Sequence, residues 1–152
     1  MEKKYILTDE TIEYLGHTLH RIKAVKDFAT ISAGTLGGYI ESETNLDHTG
    51  NAWVSGNAMV SDDARVTDDA RVTGNAMVRE TSDIALIKGF GSKLRATSFF
   101  RCVDGLVRCQ CGCFYGTVDE FRSKVRETHG NSKYAKEYLM IADLMELHFK
   151  ED

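Results

Sequence analysis

The chain has 152 residues with 19 Lys+Arg against 23 Asp+Glu, 13 Gly, 4 Cys and no Pro, the length of one compact domain with room for a sizeable core. A net charge of −4 argues against a general nucleic-acid coat, and apolar runs of only a few residues argue against a membrane-spanning helix. The start, Met1-Glu2-Lys3-Lys4-Tyr5-Ile6-Leu7-Thr8-Asp9, is broken by an acid before an export signal can form, so the four cysteines read as reduced thiols in a cytoplasmic protein.

Residues 1–37 open with Lys4-Tyr5-Ile6-Leu7, Thr11-Ile12-Glu13-Tyr14-Leu15 and Thr18-Leu19-His20-Arg21-Ile22-Lys23-Ala24-Val25, which alternate like strands. Thr8-Asp9-Glu10 and Gly16-His17 separate them as turns, and a three-stranded N-terminal β-meander cap is expected.

Residues 38–91 carry the strongest pattern. Five hexads run in phase from Gly50-Asn51-Ala52-Trp53-Val54-Ser55 to Gly74-Asn75-Ala76-Met77-Val78-Arg79, with Ala always third and Val always fifth. Ile84 and Phe90 continue the valine phase, and Ile40 and Leu46 precede it in the alanine phase. This pattern resembles the hexapeptide-repeat left-handed β-helix superfamily. The resemblance implies a short left-handed β-helix of about three coils, with Val and Ala filling a narrow prism and Gly-Asn or Asp-Asp turning its corners. Stacking one coil on the next sets Trp53 over Arg71, Met59 over Met77, and Arg65 between Asp47 and Asp83. Trp53, Met59 and Met77 are then outward apolar columns. They are either covered by the flanking segments or form a partner interface.

Residues 92–152 read as a β-hairpin and two helices, suited to oligomerisation or partner binding. Asp104-Gly105 signals a two-residue turn. That turn sets Cys102 against Val107, Phe100 against Cys109, Ser98 against Cys111 and Arg101 against Arg108, so all four cysteines share one face. Thr117-Val118-Asp119-Glu120 is a capping box opening a helix that closes near His129-Gly130. Ser132 caps a second helix, Lys133 to Phe149, with Tyr134, Tyr138, Ile141, Met145 and His148 in a stripe and Leu139, Ala142, Leu144 and Leu147 widening it. A stripe this wide suggests a subunit interface through Tyr134, Tyr138, Ile141 and Met145.

Nearly the full length also resembles a family of phage- and prophage-encoded proteins. The marks are Ala33-Gly34-Thr35-Leu36-Gly37-Gly38-Tyr39-Ile40-Glu41 with Asn45-Leu46, the Gly-Asn-Ala repeats, and Gly112-Cys113-Phe114-Tyr115-Gly116-Thr117 running into Thr128-His129-Gly130 and Tyr138-Leu139. The resemblance informs origin more than mechanism and implies action in the host cytoplasm.

Three constellations bear on chemistry. Cys109, Cys111 and Cys113 on alternate strand positions lie about 7 Å apart, too far for one zinc ion. A reduced core face is the leading reading, with a zinc site at Cys102 and Cys109 plus a histidine, or redox chemistry, as alternatives. Hexapeptide-repeat proteins include acyl-CoA-dependent acyltransferases that use a histidine base. Here His48 falls in an inward phase and His17, His20, His129 and His148 lie outside the repeat, so no catalytic residue, cofactor or metal is expected. Segment 84–116 holds five Lys/Arg against one Asp. Arg95, Phe99, Arg101 and Arg108 form its basic face, where Arg101 opposite Arg108 calls for an anion, either an internal acid or an external ligand. The expected function is that of a non-enzymatic homo-oligomer, a trimer or dimer. It would bind and inhibit or scaffold a host protein or protein–nucleic-acid complex, as an anti-defence protein of the anti-CRISPR kind does, using Trp53, Met59, Met77 and the basic face. An acyltransferase and a sponge for a nucleotide signal are the alternatives.

Overall fold

A computed structural model describes residues 2–150. Strand β1 (Tyr5–Tyr14) pairs antiparallel with β2 (His17–Ala24), from Tyr5 opposite Ala24 to Tyr14 opposite His17. Residues 8–10 do not turn the chain. They form a bulge within one strand, where the register shifts between Leu7 and Thr11 and the Thr8 hydroxyl donates to Arg21 O at 2.8 Å. Two strands therefore replace the three expected.

Strand β3 (Leu36–Ile40) pairs antiparallel with β2 on one edge and parallel with β5 (Met59–Val60) on the other. Gly37 and Gly38 permit this join, since a Cβ there would lie 2.6 Å from Val54 O and 2.7 Å from Ala58 O. In the repeat, β4 (Trp53–Val54) pairs parallel with β6 (Arg71–Val72), and β5 pairs parallel with β7 (Met77–Val78). Ala52, Ala58, Ala64, Ala70 and Ala76 are buried, as are Val54, Val60, Val66, Val72 and Val78.

The expectation of a short left-handed β-helix is corrected. No closed solenoid forms. The repeat strands are shared between open sheets, β5 and β7 extending the meander into a five-stranded mixed sheet β1-β2-β3-β5-β7 while β4 and β6 make a two-stranded one. The chain is mainly β with two C-terminal helices. The named repeat strands are each two residues long, and β5 and β7 stack on β3 in the sheet that the meander begins, while β4 and β6 pair apart from it.

The C-terminal sheet is antiparallel, order β11-β10-β9-β8, built from β8 (Ile84–Ile87), β9 (Thr97–Arg101), β10 (Val107–Cys111) and β11 (Phe114–Thr117). One face packs Phe100 and Cys102 into the core of the repeat, and the other packs Phe99 and Cys109 under the helices. Helix α1 (Val118–His129) starts at the Thr117 capping box and stops at Gly130, and α2 (Lys133–Phe149) starts at Ser132. Both boundaries fall where the capping residues put them.

The hairpin register differs by one residue from the expected one. Arg101 lies opposite Val107, Phe100 opposite Arg108 and Phe99 opposite Cys109. Cys102 accepts from Gly105 N and donates from its own N to Leu106 O, both at 2.9 Å, and Gly105 has φ 83°. The loop is thus Val103-Asp104-Gly105, a turn followed by a left-handed glycine, rather than a two-residue turn. A slip of one residue exchanges the faces of a strand. Cys102 and Cys109 end on opposite sides of the sheet, so the four cysteines do not share a face and no zinc ion can bridge that pair.

Candidate binding surface

Packing decides which predicted site residues are accessible. Trp53 is 1 % exposed and Met59 8 % exposed. Trp53 meets Phe28 edge-on at 5.4 Å between ring centroids, and Met59 packs with Leu19 and Tyr39, against which half-buried Met77 also lies. The expected outward columns are therefore covered by residues 5–40, because a β-meander beside the repeat buries apolar area that solvent would otherwise meet. Phe99 is buried in the core under the helices and offers no ring for stacking on a ligand.

Each arginine of the supposed pair has its own acid. Arg101 Nε donates to Asp83 Oδ1 at 3.0 Å, and its guanidinium lies 5.4 Å from the Phe149 ring centroid. Arg108 donates to both Asp104 carboxylate oxygens at 3.0 and 2.8 Å and to Asn75 Oδ1 at 3.3 Å. The anion that the sequence calls for is internal. It comes from Asp83 and Asp104, one on each face of the sheet. Arg95 alone of the predicted basic face stays exposed without an ion pair among the described residues.

His48 is held as a structural group. Its Nδ1 accepts from Lys4 N at 3.0 Å, its Nε2 lies 2.8 Å from Glu43 Oε1, and its ring stacks on Tyr5 at 4.2 Å. With Nδ1 accepting, Nε2 donates, and the imidazole has no lone pair left for a general base. Among the described residues, His17, Glu41 and Asp62 form a cluster with metal-ligating atoms within 4.8 Å of one another. Its imidazole already lies between the carboxylates, Nδ1 2.8 Å from Glu41 and Nε2 3.3 Å from Asp62. The two acids favour an imidazolium that fastens the start of β2 to the ends of β3 and β5.

A row of exposed apolar side chains lies along α2. Tyr138, Ile141, Ala142, Met145 and Phe149 face the core, so Tyr138, Ile141 and Met145 pack inside their own chain, while Tyr134 is exposed. The intramolecular sheet and α1 claim this stripe because they meet it first in the same chain. On the other side Met140 is 71 %, Leu144 52 % and Leu147 69 % exposed. These positions, i, i+4 and i+7, form one helical face. Leu147 also lines a 680 Å³ cleft with Leu106, Val107, Val118 and Met145, which continues the apolar surface to the hairpin tip.

Arg122 fastens the two helices beside this surface. It donates to Asp119 at 2.9 Å, Asp143 at 2.8 Å and Glu146 at 2.6 Å, and these carboxylates hold its pKa above the ordinary arginine value, Asp143 most strongly. The stripe was present in the residue pattern as Leu144 and Leu147. Met140 lies outside the stripe read from the sequence, although its i, i+4, i+7 spacing joins it to them. The chain matches no family model and no curated protein. No described helix is long and apolar enough to cross a membrane.

Proposed function

We propose that this is a non-enzymatic, self-associating protein in which the outward faces of α2 join two copies, and that the assembled form binds and inhibits or scaffolds a host macromolecule. The observation that carries self-association is the exposed stripe Met140, Leu144 and Leu147. A helix face of this spacing is complementary to another helix. A two-fold dimer satisfies this arrangement. The resemblance to phage-encoded proteins supports a host target in the cytoplasm and an anti-defence role of the anti-CRISPR type.

Sedimentation of the intact chain tests the first part. A dimer is expected, and Met140→Glu with Leu144→Glu gives a monomer with unchanged circular dichroism. A wild-type monomer at the highest soluble concentration overturns self-association. Cleavage of target DNA by purified RNA-guided nuclease complexes tests the second part. Inhibition at stoichiometric protein is expected, and undiminished cleavage across the complexes overturns the anti-CRISPR role.

A further inference from the structure

On the side of the C-terminal module away from the hairpin tip, four chain segments enclose a pocket of 260 Å³. Helix α1 supplies Phe121, Lys124, Val125 and Thr128, the i, i+3, i+4 and i+7 positions of one face. The loop before β9 supplies Lys93 and Arg95, the β10–β11 turn supplies Cys111 and Phe114, and α2 supplies Tyr138. The residues that mark the full-length resemblance, Cys113 with Phe114, Thr128 with His129, and Tyr138, come together here from separate elements.

The floor is aromatic and the rim is cationic. Phe121 lies 6.0 Å from Phe114 and 5.6 Å from Tyr138 between ring centroids. The Tyr138 hydroxyl donates to Phe90 O at 3.2 Å, and burial first, then Cys111, pushes its pKa up to about 12, so it stays a neutral phenol. Lys93, Arg95 and Lys124 bring three cations to the rim, and no carboxylate lines the pocket. Lys93 and Arg95 make no ion pair among the described residues, and Lys124 reaches only Glu127 at 3.9 Å. Gly112 has φ 59°, a left-handed conformation that favours glycine, and the Arg95 guanidinium lies against it at the pocket mouth.

We infer that this pocket binds a phosphomonoester carried on a single flat ring. A phosphate accepts from several donors at once and matches the guanidinium fork of Arg95 with Lys93 and Lys124 beside it. Half-buried Phe114 offers its ring to the ligand's ring, with buried Phe121 and Tyr138 behind it. At 260 Å³ the volume is below the roughly 300 Å³ at which pockets for drug-sized ligands begin, which sets the limit at one ring. The site is separate from the α2 stripe, and its occupancy does not depend on self-association.

The test is a titration of the intact protein with phenyl phosphate, inorganic phosphate and benzoate, followed by backbone amide resonances. Phenyl phosphate is expected to shift residues 92–95, 111–114 and 121–129 and to bind at least ~10-fold tighter than either other probe, weakening as salt rises. Arg95→Ala and Lys124→Ala change exposed side chains, and each is expected to weaken binding ~10-fold while Trp53 fluorescence remains that of the folded chain. Absence of shifts at those residues, equal affinity for inorganic phosphate or benzoate, or unchanged affinity in both variants overturns the assignment.

Discussion

Arg101 Nε donates to Asp83 Oδ1 at 3.0 Å, and Asp83 also accepts the backbone N–H of Arg79 at 2.9 Å and of Glu80 at 3.3 Å. The Asp83 side chain is 9 % exposed, so it closes the turn before β8 and binds β9 to it in a shielded place. Asp83→Ala is expected to lower stability by about 2 kcal/mol, since it removes charge-assisted bonds and leaves Arg101 without this acid. Asp104→Ala, at the exposed partner of Arg108, is expected to cost clearly less. Urea denaturation compares them, and equal losses contradict the difference in shielding.

Trp53 is the sole tryptophan and therefore reports on its own surroundings. At 1 % exposure its emission is expected to be blue-shifted and insensitive to iodide until the chain unfolds. Its indole Nε1 finds no hydrogen-bond partner among the described residues. Trp53→Phe therefore costs less than the large-to-small change Trp53→Ala, for which about 3–5 kcal/mol is expected. Iodide quenching of the folded protein contradicts the cover provided by residues 5–40.

The His17 imidazole faces Glu41 and Asp62, with Arg79 3.9 Å from Asp62 as the opposing cation. The bond to Glu41 raises the His17 pKa. The Asp62 N–H first, then His17, lowers that of Glu41. The His17 contribution to stability is complete below its unfolded value of about 6.5 and fades as pH rises through the folded value, whereas the Glu41 contribution fades on acidification below about 4.3. Wild-type stability is thus expected to fall relative to His17→Gln as pH rises above about 6.5. Parallel urea midpoints for the two proteins from weakly acidic to weakly alkaline pH contradict the clamp.

Lys4 is fully buried. Its Nζ donates to Ala52 O at 2.7 Å and lies 4.7 Å from the Phe28 ring centroid. Desolvation is the main reason that its pKa drops from 10.5 to about 8. Between these values the unfolded chain holds the extra proton, so this group adds stability as pH rises from about 8 toward 10. The stability difference between wild type and Lys4→Met is expected to grow in favour of wild type over that interval. A constant difference in urea midpoint contradicts a lowered pKa at buried Lys4.

Local chemistry was legible in the residues. Thr117 and Glu120 satisfy each other's backbone N–H, Gly130 ends α1 and Ser132 opens α2, because a cap is decided within one turn of chain. The inward Ala and Val of the hexads were legible for the same reason: a six-residue period marks which side of a strand is buried. The hairpin register was not. Asp104-Gly105 suits two loop lengths, and the length is settled where Asn75 O accepts from Val103 N at 3.0 Å and Ala76 bridges Cys102, contacts far away in sequence.

The sequence alone thus determined an acidic chain with a buried repeat, a strand-rich start, two capped helices and a basic segment, all set by composition and short-range pattern. Tertiary structure decided that the repeat strands enter open sheets, that the meander covers Trp53, that Arg101 and Arg108 point to opposite faces with separate acids, and that Met140, Leu144 and Leu147 form one exposed apolar row on α2. Exposure and charge pairing depend on which surfaces meet, and a surface meets its neighbour only after the chain has folded.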